Sequence, residues 1–484
     1  MRVDGIFLRA AIPASPQDAC FPTHTDWTAF NSTLSGQLIK TTPLASACFP
    51  TASPSNPEAC EYIRTHWTTS TLHASDPSSI MMPMWASNSH PIAQGPCTPT
   101  SKHCDMGNYP VYTVNVTTPQ HVIGAIHFAR ERKLRLAIKN TGHDFLGRNV
   151  GFGALGVWMH GLKGMEFFDD FAGMGSAVTV MAGMQWGEVY DEVAKRGLVV
   201  VGGANPTVGS VGGYLQGGGH GYLSSRHGLA ADNVLQLTAI TASGALTHPT
   251  PQTTRHTMLM ISPASSEPHE AFWDAVAYIH GHLPREYINS TFPSLHISTT
   301  EKQYGSWMEA YKPNIYPEPV GHNSLIASRL LPRAALENNF AAIRSTLVTA
   351  FPKVGMPGMV GQLVAAGQVS KNRHLRTAVH PAWRSAYLNL EITVTWADDA
   401  PLETVMGIRR YNSEVSVGAL EALARTGGEG EDGVGAYVNE ADAFTKREDA
   451  GKVFWGGKYE ELPRVKERWD PKGVFWCRLC VGSE

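Results

Sequence analysis

The sequence predicts an α+β chain built from more than one folding unit, and three observations carry that expectation. Its 484 residues exceed what one hydrophobic core usually organises. From about residue 109 onward, helical and strand periodicities alternate. The segment 387–396 alternates polar and apolar residues almost without a break, whereas the stretch 202–244 is so rich in glycine that it fits neither element.

Taken in order, Thr118 can cap a helix with Pro119 at its first position, and Val122, Ile123, Ile126 and Ala129 fall on one face of it. Leu134 to Lys139 reads as a strand that delivers His143 to a loop. Ser176 to Ala182 is a second strand, and Trp186, Val189, Tyr190 and Val193 mark a helix closed by Gly197. Leu198 to Val201 is a short buried strand, and Arg333 to Phe351 a helix with Leu336, Phe340, Ile343 and Leu347 on one stripe. In 387–396, Tyr387, Asn389, Glu391, Thr393 and Thr395 share one strand face, and Leu388, Leu390, Ile392, Val394 and Trp396 share the other. The apolar face suits a core; the polar face is either solvated or the roof of a substrate pocket. The Gly and acid run 427–435 reads as a linker.

Composition narrows the function. With 43% hydrophobic and 17% charged residues, 47 glycines and 31 prolines, the chain is globular and loop-rich. A formal net charge of -3 without long Lys or Arg runs gives no footprint for nucleic acid or anionic lipid, so the expected partner is a small molecule. No stretch reaches the roughly 18 consecutive apolar residues of a membrane span. Asp4 and Arg9 interrupt what would be the apolar part of a signal peptide. Cys20, Cys48, Cys60, Cys97 and Cys104 lie near the front and Cys477 and Cys480 at the end, which reads as disulfide stapling of terminal extensions. The odd count leaves one thiol over, and the connectivity stays open. Cys477-x-x-Cys480 lacks a second ligand pair, so it reads as structural rather than as a metal site. With sequons at Asn31, Asn115 and Asn289, secretion is favoured although no signal peptide is evident.

Two stretches carry chemistry. Nine of the twenty residues 202–221 are glycine, which requires close backbone approach or repeated positive-φ turns. A Rossmann fingerprint is absent, because Gly217-x-Gly219 is followed at the third glycine position by Tyr222. A run of exposed backbone N–H groups able to cradle a pyrophosphate remains. The second stretch, KNTGHDFLGRN, sets His143 between a glycine and an aspartate. It is either a hydrogen-bonded loop histidine or a nucleophile.

With NYPVYTVNVTTPQHV, NTGHDFLGR, PTVGSVGGYLQGGGHG, HGLAADN, HPAWR and the ending WDPKGVFWCRLCVGSE in this order and spacing, the chain resembles the berberine bridge enzyme-like branch of the vanillyl-alcohol oxidase superfamily, closest to fungal isoamyl alcohol oxidase-like FAD-linked oxidoreductases. The resemblance covers nearly the whole chain. It implies a two-subdomain PCMH-type FAD-binding domain at 109–286, preceded by a Cys-containing extension at 1–108. It further implies a substrate domain at 287–424 with an antiparallel sheet backed by helices, and a C-terminal segment at 425–484 returning to the FAD domain.

The resemblance implies a covalent bond from His143 to the flavin 8α carbon, which suits a neutral, nucleophilic imidazole. The second tether of many relatives, a cysteine, falls on Asn205, so a single bond through His143 is expected. Other FAD contacts implied are Asn140, Thr141, Gly142 and Asp144; Pro206, Thr207, Val208, Gly209, Gly212, Gly213 and Tyr214; Gly217, Gly218, Gly219, His220 and Gly221; and Asn233 and Asn439. Val208 matches the position where small side chains admit oxygen, and Tyr437 and Asn439 match a late Tyr-x-Asn element returning to the isoalloxazine. One departure stands out: after EAFWDAV the chain reads AYIHGHLPREYINSTFP (277–293), where relatives carry a Gly-rich turn close to the flavin.

The expected reaction is that of an oxidase, with hydride passing from a small organic alcohol or secondary metabolite to flavin and O2 as acceptor. Glu391 is the first candidate base, and Tyr387 and Tyr437 are the other catalytic candidates. The alternatives are an oxidative cyclase of fungal secondary metabolism and a flavin-poor, redox-neutral enzyme or binding scaffold.

Overall fold

The computed structural model describes residues 15–49, 56–87, 97–248, 306–314, 318–337, 340–363, 365–428, 430 and 433–483, together with the backbone of 259–260 and 262–263. The 277–293 stretch lies outside the described residues.

The first sheet has the order Leu38–Lys40, Tyr112–Asn115, Leu155–Trp158, Leu136–Lys139; its first pair is antiparallel and the rest are parallel. The helix Pro119–Arg132 covers it, burying Ala125, Ile126, Phe128 and Ala129 against Val114, Leu155 and Val157. The N-terminal segment supplies more than a strand to this layer. Trp27 stacks on Tyr112 at 4.4 Å and Phe30 on Phe128 at 4.0 Å between ring centroids. Thr118 makes no side-chain capping bond, contrary to the sequence reading. The helix begins there because Pro119 has its φ already set and lacks an N–H that would be unsatisfied in the first turn.

A smaller sheet pairs Met165–Phe168 with Ala177–Val180 and the latter with Leu259–Met260, all antiparallel. The helix Trp186–Ala194 packs Trp186, Val189, Tyr190 and Val193 into its core, and Gly197 follows at φ +66. The strand expected at 198–201 covers only Leu198–Val199, since that is where its pairing with 262–263 ends.

The third sheet sets Ala386–Trp396 between Asn323–Pro332 and Met356–Gln362, both antiparallel to it. Leu390 and Ile392 pack under the helices Phe340–Ala350 and Val417–Arg425 through Leu347, Leu420, Leu423 and Ala424. The expected single helix over 333–351 is broken. Arg333–Leu336 stops at Glu337, whose backbone is extended, and the helix resumes at Phe340. Residues 338 and 339 lie outside the described residues.

The disulfides are Cys48–Cys60, Cys97–Cys104 and Cys477–Cys480, leaving Cys20 as a free, exposed thiol. Two sequon asparagines are engaged with the fold: Asn31 accepts from the Leu38 N–H at 2.9 Å, and Asn115 donates to Gln37 at 2.7 Å. Asn289 lies outside the described residues. Among the described residues no helix is long and apolar enough to cross a membrane, and no cluster of His, Cys, Asp and Glu could hold a metal ion.

One ion pair ties the glycine-rich segment to the third sheet. The side chain of Asp232, from HGLAADN, is fully buried and its carboxylate accepts from both Nη atoms of Arg384, from HPAWR, at 2.7 Å, and from the Asn372 amide at 3.0 Å. Arg384→Ala strands a buried carboxylate, and the expected cost is about 3–5 kcal/mol of stability. The thermal unfolding midpoint of the variant is the check; a change within a degree or two would contradict this reading.

Candidate functional site

The loop that carries His143 is held from several sides. The Asn140 amide donates to the Ala182 carbonyl at 2.5 Å, Gly142 adopts φ +101, and Asn149 donates to the Gly142 carbonyl at 3.2 Å. Asp144 grips Arg148 through Nε at 2.8 Å and Nη2 at 2.5 Å, and Arg148 reaches Asn439 Oδ1 at 3.0 Å. Thr141 is buried. Asp144 therefore fixes the loop and spends its carboxylate on an internal partner. Beneath the loop, the buried Lys139 amine donates to the His73 carbonyl at 2.9 Å and to that of Asp76. Burial pulls that amine down to about 7.

His143 itself places Nε2 at 2.7 Å from Thr207 Oγ1. Burial, reinforced by nearby His73, holds the ring down to about 3, so it is a neutral imidazole across the physiological range. Its Nδ1 has no hydrogen-bond partner among the described residues.

The glycines of 202–221 are explained largely by approach to the protein itself. A Cβ on Gly209 would lie 2.3 Å from the Asn140 amide nitrogen, one on Gly217 2.5 Å from that of Asn439, and one on Gly221 1.9 Å from the Gly202 carbonyl oxygen. Gly218 and Gly219 adopt φ +112 and +66, which turn the chain towards His220. Pro206 and Val208 accept from the amides of Gly187 and Trp186. Tyr214 donates to the His220 carbonyl at 2.8 Å. Gly212 precedes the short helix Gly213–Gln216, which has no side-chain cap. Asn205 Nδ2 and Asn140 Oδ1 are buried without a protein partner. Unpaired buried polar atoms beside a nucleophilic histidine and a glycine-lined backbone are what a large polar cofactor such as FAD would satisfy, so the residues present fit it.

Asn233 has a different task. Its amide donates to the carbonyls of His227 and Leu229 at 3.0 and 2.8 Å, closing the turn that follows the glycine segment.

The polar face of Ala386–Trp396 is not solvated at its centre: Asn389 is fully buried and Glu391 is 6% exposed. It meets the segment 437–440. The Asn389 amide donates to Glu391 Oε1 at 3.1 Å and to Glu440 Oε2 at 2.9 Å, and Gln362, from the neighbouring strand, also donates to Glu391. His220 Nε2 lies 3.1 Å from Glu440 Oε2. Burial pulls the His220 ring down to about 4, so it is neutral and its Nε2–H donates to the carboxylate. His220 Nδ1 is then a buried acceptor without a partner. Burial, and then the like charge of Glu440, push Glu391 well above the ordinary carboxylate range, while burial pushes Glu440 up to about 7. Burial and the neighbouring carboxyl thus favour the protonated form at Glu391, and the two groups titrate as a pair rather than independently.

Tyr437 is 2% exposed and its hydroxyl is committed: it accepts from the Asn439 amide at 2.7 Å and donates to the Tyr214 carbonyl at 3.3 Å. Asn439 also donates to the Gly213 carbonyl at 2.8 Å. Both residues lock the late segment onto the glycine loop. Tyr387, partly exposed, makes no hydrogen bond to the carboxyl pair among the described residues. Sequence reading missed Glu440, whose one signal was its place directly after Asn439, and Gln362, which carried none.

This cradle fits the cofactor of an FAD-linked oxidoreductase, and that is the class to which the chain's relatives assign it. A family model described as an FAD binding domain matches residues 110–249, and one described as berberine and berberine like matches 436–482. The chain is 32% identical to the FAD-linked oxidoreductase ZEB1 of Gibberella zeae, over 97% of this chain and 92% of the relative. It is likewise 32% identical to the FAD-linked oxidoreductase patO of Aspergillus clavatus, over 97% of this chain and 91% of that one. Among solved structures, the VAO-type flavoprotein MtVAO615 from Myceliophthora thermophila C1 aligns with a TM-score of 0.81 at 28% identity, covering 98% of both chains. MtVAO713 from the same organism aligns at 0.83 and 25%, covering 97% of both. The chain belongs to the berberine bridge enzyme-like branch of the vanillyl-alcohol oxidase superfamily, with the mixed α/β PCMH-type fold of that group.

Proposed function

We propose that the chain is an oxidase that takes hydride from a small organic alcohol or secondary metabolite, with O2 as electron acceptor and FAD tethered through His143 alone. The observation that carries this reading is the buried cluster in which Asn389 bonds both Glu391 and Glu440 and His220 meets Glu440, set where the polar strand face and the glycine segment come together. FAD, when bound, supplies the hydride acceptor.

In this reading Glu440 is the base that removes the proton from the substrate hydroxyl. A carboxylate whose pKa is pushed to about 7 is better matched to that task than an ordinary surface acid. The Asn389 amide and the His220 N–H both hold its Oε2, one from the strand face and the other from the glycine loop. His220 Nδ1 remains as an acceptor for substrate or cofactor. The contacts proposed for FAD are those around His143, Asn140, Asn205 and 206–221, with Asn439 and Asn233 shaping the backbone. The division into an extension, an FAD domain, a substrate domain and a returning C-terminal segment belongs to the same proposal, as does secretion, which three disulfides favour.

The test is anaerobic mixing with a panel of primary alcohols and phenolic metabolites. Bleaching of the flavin absorbance with a member of the panel, followed by recovery and peroxide release on admitting O2, supports the oxidase reading. Bleaching that O2 does not reverse contradicts the oxidase assignment, while leaving the family intact.

A further inference from the structure

Asn205 stands where many relatives carry a second tethering residue, and its contacts give it a different task. Asn205 Oδ1 lies 3.1 Å from the Thr207 backbone nitrogen and 2.9 Å from Thr207 Oγ1. A backbone N–H can only donate, so the atom facing it must be the amide oxygen, which fixes the orientation of the Asn205 side chain. That oxygen can only accept, so the Thr207 hydroxyl must donate its one proton to it. With its proton spent, Thr207 Oγ1 meets His143 Nε2, 2.7 Å away, as an acceptor, and Nε2 must carry the hydrogen. The ring being neutral, Nδ1 is then bare. Thr207 is 4% exposed and Asn205 Nδ2 is buried without a partner, so solvent does not readily scramble the chain of donors.

We propose that Asn205 and Thr207 are positioning residues for flavin attachment: they fix the His143 tautomer so that Nδ1 is the nitrogen that bonds the 8α carbon. The inference rests on the reading of His143 as the tether. In the step itself, the Nδ1 lone pair forms the new bond to carbon as one C–H bond of the methyl group breaks. The methyl proton and the Nε2 proton leave to solvent, and two electrons remain on the isoalloxazine. Dioxygen takes up those two electrons with two protons and becomes hydrogen peroxide. Between bond formation at Nδ1 and departure of the Nε2 proton the ring is cationic, and during that interval the Nε2–H···Oγ1 bond to Thr207 is at its strongest.

The experiment compares the full-length wild type with Thr207→Val, Asn205→Ala and Asn205→Asp, each prepared without flavin and then incubated with FAD in air. Two quantities are read: flavin that stays with the acid-precipitated polypeptide over time, and non-covalent FAD binding by fluorescence quenching. Tethering is expected to slow at least tenfold in Thr207→Val and Asn205→Ala and to recover in Asn205→Asp, which keeps the accepting oxygen. Tethering is followed at FAD concentrations that saturate each variant by the quenching readout, so a weaker non-covalent complex does not by itself slow it. The linkage atom is read independently, by NMR of the wild-type flavin peptide, and should be Nδ1; this measurement needs no variant. Linkage through Nε2, or wild-type tethering rates at saturating FAD in both Thr207→Val and Asn205→Ala, would each overturn the relay while leaving the tether standing. A wild-type chain that retains no flavin after precipitation would overturn the tether reading and the relay with it.

Discussion

Glu440→Gln should lower turnover by about 100-fold or more while leaving the FAD content of the protein unchanged, because general base catalysis contributes a factor of roughly 10²–10⁴. Glutamine keeps the shape and can still receive the His220 and Asn389 bonds through its oxygen, but it cannot take a proton. The wild-type rate should rise with pH through about 7 as the carboxylate forms, and this limb should vanish in the variant. The neighbours give a second reading of the same site. Removing a donor to Glu440, as in Asn389→Leu or Glu391→Leu, raises its pKa further, so the acidic limb should move to higher pH. Stability carries the opposite dependence. Because the folded pKa of Glu440 lies above its ordinary value of 4.5, the contribution of that group is present below 4.5 and is lost as pH rises through about 7. Glu440→Gln should therefore melt higher than the wild type at pH 8, with the difference shrinking by pH 4. Unchanged turnover with intact FAD would remove Glu440 from the chemistry.

His143→Ala should abolish acid-stable flavin altogether. The glycine-lined backbone, the Asn140 and Asn205 side chains and the loop bonds of Asn149 and Arg148 all remain, so the variant should still bind FAD, now released on denaturation. A tethered histidine also withdraws electrons from the flavin, so the variant's flavin should be less oxidising and substrate reduction slower. Flavin persisting with the precipitated His143→Ala chain would place the tether elsewhere.

Local pattern revealed the parts of this site that local chemistry dictates. The density of glycines at 202–221 signalled close backbone approach, and the structure shows much of that approach to be protein against protein, as at Gly209 and Gly221. Alternation along 387–396 placed Asn389 and Glu391 on one polar face, but it could not say what covers that face. The cover is Glu440 and His220, 51 and 220 residues from the groups they touch. Such partnerships are tertiary, and nothing in a single sequence encodes them. The same limit made Tyr437 look like a catalytic group when its hydroxyl is enclosed by Asn439 and Tyr214, and it hid the exchange between Asp232 and Arg384 that joins two motifs read separately. The broken helix at Glu337 and the uncapped Thr118 show the limit of periodicity and residue type, which propose an element but do not fix the backbone dihedral or the side-chain bond that ends or caps it.

The intact mass of the denatured wild-type chain tests the central claim most directly. A chain heavier than its sequence mass by one FAD, with the added mass mapping to the peptide that contains His143, is the result expected. A chain at its bare sequence mass, recovered from protein that was yellow before denaturation, would contradict it.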